Sequence, residues 1–281
     1  MSNSVFEVRF WGVRGSLPAA GPQTIRFGGN TPCVELRIGH RLIILDAGSG
    51  IYHLGQQLLD GGGTIRGDIL ITHAHWDHIQ GFPFFYPAYE PGNSFNVYGQ
   101  SKLNLSIAAQ LEGQMSYPYF PIKLQDMKAD FDFHNIDGGE MYDLGDGIKV
   151  TTFSNNHPDG GVSYRVNHGP LAFCYVTDHE HIPALDSDMQ KFIVKADLLV
   201  FDTSFTEEEY LGNGRSPSRE GWGHSTWQEA VRLAKAAGVK RLALFHHALN
   251  RTDDEMEKIE ARARECFPDC FAAREGMVIN L

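Results

Sequence analysis

Apolar and polar positions alternate over residues 5–10 (Val-Phe-Glu-Val-Arg-Phe), which predicts an opening strand. Two short apolar runs, Cys33 to Ile38 and Leu42 to Leu45, are joined across Gly39-His40 and read as a hairpin. Beyond Asp46-Ala47-Gly48-Ser49-Gly50 the period lengthens. Ile51, Leu54, Leu58 and Leu59 fall on one helical face, and Gly61-Gly62-Gly63 ends that helix. Further strands are predicted over Asp68 to Thr72, Ile148 to Phe153, Val162 to Val166, Leu171 to Val176, Leu198 to Phe201 and Arg241 to Phe245, with Met277 to Leu281 closing the chain. Helices are predicted around Asp188 to Lys195, from Thr226 to Gly238, and from Thr252 to about Arg264. Thr226 with Glu229, and Thr252 with Glu255, have capping-box spacing. Ser204 to Glu220 reads as polar loop with an acidic turn at Glu207-Glu208-Glu209.

The pattern changes at about 82–135. Phe82, Phe84, Phe85, Tyr86 and Tyr89, then Tyr117-Pro118-Tyr119-Phe120-Pro121, make an aromatic and proline-rich stretch, interrupted by a predicted helix from Lys102 to Leu111. Irregular, proline-broken aromatics do not fit a periodic core face, so this stretch is expected to be an insertion into a single domain spanning 1–281. It would serve as a wall or lid over a site, or as a surface between subunits.

Composition narrows the classes. Hydrophobic residues make up 42% of the 281 and charged residues 21%, as in a globular protein with a substantial core. A formal net charge of -11 leaves little excess Lys and Arg for backbone phosphates, which argues against nucleic acid as a partner. Cys33, Cys174, Cys266 and Cys270 lack paired CxxC spacing and read as reduced, mostly buried thiols of a cytoplasmic protein, with Cys266 and Cys270 able to bridge if their backbone geometry allows it. No basic-then-apolar leader and no apolar run near 18 residues is present, so neither a signal peptide nor membrane attachment is expected.

Chemistry enters at Thr72-His73-Ala74-His75-Trp76-Asp77-His78, where three imidazoles and a carboxylate crowd into six positions behind an apolar run. Neutral imidazole nitrogens and carboxylate oxygens are the usual ligands of zinc and the neighbouring first-row divalent ions. The same event recurs: His157, Asp178, Asp202 and His246 each follow an apolar run. Strand ends gathered at one sheet edge are where α/β proteins build sites, and strands this numerous and mixed imply two sheets with outer helices. His247 would point away from His246 along a continuing strand. His179 and His181 read as supporting or surface residues, and Asp46 as a carboxylate that holds a ligand imidazole. The glycine-rich turns near Arg14, Asn30 and Thr31 match neither GxxxxGK[ST] nor GxGxxG. They leave these three residues as candidate substrate contacts beside a purely architectural role.

His73-Ala74-His75-Trp76-Asp77-His78 followed by His157, Asp178 and His246 resembles the metallo-β-lactamase superfamily, over nearly the whole chain. The resemblance implies a four-layer αββα sandwich and a dinuclear centre. His73, His75 and His157 would hold one ion, Asp77, His78 and His246 the other, with Asp178 bridging. His224-Ser225-Thr226 is similar to the branch containing ribonuclease Z, cyclic-nucleotide phosphodiesterases and PhnP-type phosphodiesterases. Gly12-Val13-Arg14-Gly15-Ser16-Leu17-Pro18 with Gly28-Gly29-Asn30-Thr31 is similar to bacterial class II cyclic AMP phosphodiesterase-like proteins. In that branch an acidic residue orients the histidine; here Asp202 takes the position, where ribonuclease Z commonly has Glu. A homodimer is also implied.

Phosphodiester cleavage needs an activated water, charge relief on nonbridging oxygens and a proton for the departing oxygen. Two divalent ions, Zn²⁺ foremost with Mn²⁺ or Fe²⁺ as alternatives, would supply the first two. Asp77 would help orient the nucleophile, His224 would act as general acid, and Asp202 would fix its tautomer. The expected substrate is a cyclic nucleotide or another small phosphodiester. Three alternatives stand beside it: an RNA-processing nuclease, a lactone or thioester hydrolase with an apolar cleft lined by Phe84, Tyr89 and Tyr119, and a metal-bound regulatory protein.

Overall fold

Phe6, Val8 and Phe10 are buried while Glu7, Arg9 and Trp11 between them are half-buried, so the alternation of the opening residues becomes strand β1 (Phe6–Gly12). The structure is a computed structural model describing residues 6–212 and 216–281. The chain divides into two units, each built on one seven-stranded sheet. The first unit holds the described residues up to Pro18, Gly29–Ile136 and Arg274–Asn280; the second holds Ala19–Gly28, Asp137–Ala273 and Leu281.

In the first unit β1 lies between the closing strand Val278–Asn280 and β2 (Cys33–Ile38), antiparallel to both. The predicted hairpin forms between β2 and β3 (Arg41–Leu45), turning at Gly39, whose φ is +59°. From β3 onward the sheet is parallel, adding β4 (Arg66–Leu70), β5 (Ser94–Gln100) and β6 (Asp130–Ile136). Parallel strands are covered on both faces, which explains the unbroken apolar run Leu42-Ile43-Ile44-Leu45. Helix α1 (Ile51–Asp60) packs Ile51, Leu54 and Leu58 into the unit's core.

Two strands of this sheet, β5 and β6, lie within the stretch 82–135. Phe95 and Val97 alternate with half-buried Asn96 and Tyr98, a period-two signal hidden in the sequence by surrounding aromatics. The expected helix from Lys102 begins instead at Ile107, as α3 (Ile107–Gln114), after the four-residue helix α2 (Trp76–Ile79). Leu103 and Asn104 have positive φ and Lys102 bridges to Leu105, so no helix can start before Ser106 caps it.

In the second unit β7 (Met141–Gly145), β8 (Ile148–Ser154), β9 (Val162–His168) and β10 (Leu171–Val176) form an antiparallel meander. β11 (Leu198–Asp202), β12 (Leu242–Phe245) and β13 (Cys270–Ala272) extend it in parallel. Helix α4 (Pro183–Ile193) starts earlier than its sequence pattern suggests, because Pro183 is well placed in a first turn, and it stops before Lys195, whose φ is +51°. Part of the expected loop after Ser204 is helix α5 (Glu207–Leu211), closed at its start by a Thr206–Glu209 capping box. Residues 213–215 of that loop lie outside the described residues.

Of the two capping boxes expected on the later helices, one closes fully and the other only by half. Thr226 accepts from the Glu229 amide at the start of α6 (Trp227–Ala236), while the Glu229 carboxylate pairs with Arg232. Thr252 and Glu255 complete a reciprocal box on α7 (Asp253–Cys266). Trp227, Leu233, Met256 and Ile259 from these helices join Phe201 and Leu244 of the sheet in one core. All four cysteines are free thiols, Cys266 exposed and the other three buried. Among the described residues no helix is long and apolar enough to cross a membrane.

Candidate metal centre

The parallel register of β3 and β4 sets Leu45 opposite Leu70, so the two strands end together and their exits are neighbours. Asp46 then leaves β3 with φ +59°, and its amide bonds the Leu70 carbonyl. Its carboxylate meets Thr72 on the adjacent exit: Oδ1 accepts from the Thr72 amide at 2.8 Å, and the Thr72 hydroxyl lies 3.0 Å from both oxygens. Asp46 Oδ2 accepts from His78 Nδ1 at 2.8 Å, while His73 Nδ1 lies 3.1 Å from the Thr72 hydroxyl. The Thr72 hydroxyl can therefore accept from His73 and donate to Asp46. One buried carboxylate thus fixes two imidazoles, one directly and one through a hydroxyl, and each keeps its Nε2 side for a ligand role.

The His73 ring lies 4.4 Å from that of His75 and 4.3 Å from that of His78. His78 Nε2 is 3.3 Å from Asp77 Oδ2, an oxygen that also accepts from the Ser16 amide at 2.7 Å. A Cβ on Gly48 would stand 2.2 Å from the Asp77 carbonyl oxygen, so this turn closes only over a glycine.

The second unit builds its own set. Asp178 follows β10 with φ +53° and His246 follows β12 with φ +59°; His246 Nε2 lies 3.2 Å from Asp178 Oδ1. His157 Nε2 lies 3.8 Å from Asp178 Oδ2, and its Nδ1 donates to the Gly223 carbonyl at 2.9 Å. Gly223 has φ +85°, and a Cβ there would sit 2.0 Å from that same Nδ1. At the end of β11, Asp202 Oδ2 accepts from His224 Nδ1 at 2.7 Å and Oδ1 from the Ser204 hydroxyl at 2.7 Å. The Ser204 hydroxyl in turn lies 3.0 Å from His246 Nδ1. The His224 and His246 rings stack at 5.0 Å. Asp178, Asp202, His224 and His246 each offer a ligand atom within 4.8 Å of the others.

His247 donates from Nε2 to the Ala273 carbonyl and packs edge-on against Phe27. Burial pushes the pKa of His179 down to about 4, and its Nδ1 accepts from the Asn156 amide, so it is a neutral structural group at neutral pH. His181 contacts the Ser225 hydroxyl. Arg14 is fully buried, both oxygens of Glu275 bind Asn30, and Thr31 exchanges bonds with Ser49 and Gln80. Thr72, Ser204 and Glu180 were not singled out in the sequence. Buried Glu180 accepts from Tyr210, Gly221 and Gly223, and thereby clamps the loop that carries both the carbonyl holding His157 and His224 itself. Its only sequence signal is its place two residues after Asp178.

Buried imidazoles oriented by carboxylates, hydroxyls and a carbonyl, with ring nitrogens directed toward further carboxylates, are a donor set suited to divalent metal ions. Carried on two mixed sheets with helices, these sets define an α/β protein with candidate metal-binding clusters. A profile described as "Beta-lactamase superfamily domain" matches residues 41–247. Ribonuclease Z from Picrophilus torridus is 23% identical, over 99% of this chain and 96% of its own length. Among solved structures, the metallo-β-lactamase fold protein YhfI from Bacillus subtilis superposes with a TM-score of 0.70 at 19% identity, covering 99% of this chain and all of its own. A diphosphatase of the PhnP family gives 0.69 at 19% identity, with 98% of both chains covered.

The chain belongs to the metallo-β-lactamase superfamily, in its ribonuclease Z-like branch, and has that superfamily's α/β sandwich fold. Hydrolases of this family bind divalent metals. The expectation from net charge that nucleic acid is an unfavoured partner finds no support here, since ribonuclease Z is by name a nuclease.

Proposed function

We propose that this protein is a dinuclear metal-dependent phosphodiesterase acting on a small phosphodiester such as a cyclic nucleotide. In this reading the ligand roles are those that the family resemblance implies. His73, His75 and His157 would hold one ion and Asp77, His78 and His246 the other, with Asp178 contributing to both. Bound ions would supply Lewis-acid charge to the phosphoryl oxygens and acidify water. The imidazole-rich set favours Zn²⁺, with Mn²⁺ and Fe²⁺ the alternatives that metal analysis would separate.

The observation that carries the reading is the 2.7 Å bond between His224 Nδ1 and buried Asp202. It leaves His224 Nε2 as the position from which a proton can pass to the departing oxygen, and the fixed carboxylate stabilises the imidazolium in the interval before transfer. A lactone or thioester has less need of that proton. Asp77 is held by the Ser16 amide and so orients rather than abstracts. The bonds around Arg14, Asn30 and Thr31 favour a role in supporting the turns over direct contact with substrate.

Zinc- or manganese-loaded protein should hydrolyse bis(p-nitrophenyl) phosphate and cyclic nucleotides, and should lose this turnover after chelation. Two bound metals with no turnover of any phosphodiester would overturn the assignment. The ribonuclease Z relative favours a second reading, RNA cleavage, which a precursor tRNA in the same assay would reveal as preferred turnover.

A further inference from the structure

A cavity of about 560 Å³ opens in the first unit beside the metal-binding turn, with Ala74 and Trp76, the two neighbours of His75, on its wall. Phe84, Tyr119 and Phe120 supply aromatic surface; Gln80, whose Nε2 donates to the Thr31 hydroxyl, and two glutamines of α3, Gln110 and Gln114, are the amide side chains of the lining. No charged side chain lines it among the described residues, so it is unsuited to holding a phosphate. Its volume lies within the usual range for small-molecule sites, about 300–1,000 Å³.

The two glutamines are polarised in one sense. Gln114 Nε2 donates to the Ile79 carbonyl at 3.0 Å, and Gln110 Nε2 donates to the carbonyls of Gln100 and Leu105 at 2.8 and 3.2 Å. Carbonyl acceptors demand the amide nitrogen, which settles both side-chain orientations. What the pair can offer a ligand is two carbonyl oxygens as acceptors and the second amide hydrogen of Gln114 as a donor, a pairing that the edge of adenine complements. Flat aromatic walls with acceptors and no charge match a planar heteroaromatic group that carries N–H donors. Trp76 is 79% exposed and Tyr119 83% exposed, large apolar rings for a protein surface unless they stack on something.

From this we infer that the cavity binds a nucleobase with an exocyclic amino group, adenine fitting best, attached to the phosphodiester that the neighbouring turn addresses. The inference rests on the phosphodiesterase reading and gives its substrate a base. The same base chemistry could arrive on a free cyclic nucleotide or at the end of a single-stranded RNA.

Calorimetric titration of the zinc-loaded protein with adenosine and with purine riboside, which lacks only the amino group, tests it. Adenosine should bind about 10-fold more tightly, the scale of one hydrogen bond to an amino group. Phe84→Ala should weaken both ligands by about 10-fold through lost stacking. Gln114→Leu should bring the two affinities together. Cyclic AMP binding more tightly than an oligoadenylate identifies the free nucleotide as the source, and the reverse identifies RNA; Phe84→Ala must weaken whichever binds. No adenosine binding at millimolar concentration, or equal affinity for the two nucleosides, overturns the base site. Should bis(p-nitrophenyl) phosphate still turn over in that case, the phosphodiesterase reading survives without it. Nucleoside binding with no phosphodiester turnover would instead refute the reaction.

Discussion

The two units wire their imidazoles alike. In the first, Asp46 takes His78 directly and His73 through the Thr72 hydroxyl; in the second, Asp202 takes His224 directly and His246 through the Ser204 hydroxyl. Both carboxylates are fully buried at the end of a strand. The difference lies in what the directly held histidine is for. His78 is buried with its Nε2 beside Asp77, whereas the His224 side chain is 14% exposed and stacks on a ligand-type ring. Under the proposed function one arrangement would present a lone pair and the other a proton, and the difference in solvent access is what would separate the two uses.

The largest effect should come from breaking the second arrangement. His224→Ala is expected to keep its metals and lose turnover about 10²–10⁴-fold on substrates with poor leaving groups. Asp202→Asn, which faces His224 Nδ1 with an amide, should approach that loss; equal kcat in wild type and variant would mean that the two wirings do the same job. The matched change in the first unit, Asp46→Asn, should act on metal instead, lowering affinity about 10–100-fold as measured by competition with a chelator. Loss of turnover without loss of metal there would erase the contrast.

Glu180→Gln replaces a carboxylate that receives three bonds, so one donor is left facing an amide nitrogen. It should lower kcat by about 10-fold, from the loss of roughly one buried charged hydrogen bond, with KM little changed. A purely structural role would shift Tm and leave kcat intact. Ser204→Ala removes the relay to the His246 ring together with the hydroxyl's contact to the His246 carbonyl and should reduce stability by about 1–3 kcal/mol, read from urea denaturation, the range for leaving a buried partner unsatisfied. Thr72→Val should match it in the first unit if the hydroxyls are equivalent.

The first arrangement was legible because its histidines sit within six residues and its carboxylate opens the turn after the preceding hairpin. The ligand types of the second were legible too, each just past an apolar run. Their connections were not. Ser204 and Glu180 gain their roles from where loops return in space, and a lone Ser or Glu after a strand carries no periodic signal. Strands β5 and β6 were lost among aromatics that also satisfy an irregular pattern, and α5 was lost because three adjacent glutamates suggest a solvated turn. There the capping box formed with Thr206 overrides the charge run.

Asp46, Asp178 and His246 all leave their strands with positive φ, between 53° and 59°. Asn, Asp and glycine tolerate that backbone far better than branched side chains do. For protein engineers, these three positions are filtered by conformation before chemistry is tried. A library aimed at changing the metal would retain Asn or Gly there at low strain and discard Val, Ile and Thr as misfolded. His73, His75 and His157 are not among the positive-φ residues, so they are the proposed ligands at which a wider alphabet can be sampled.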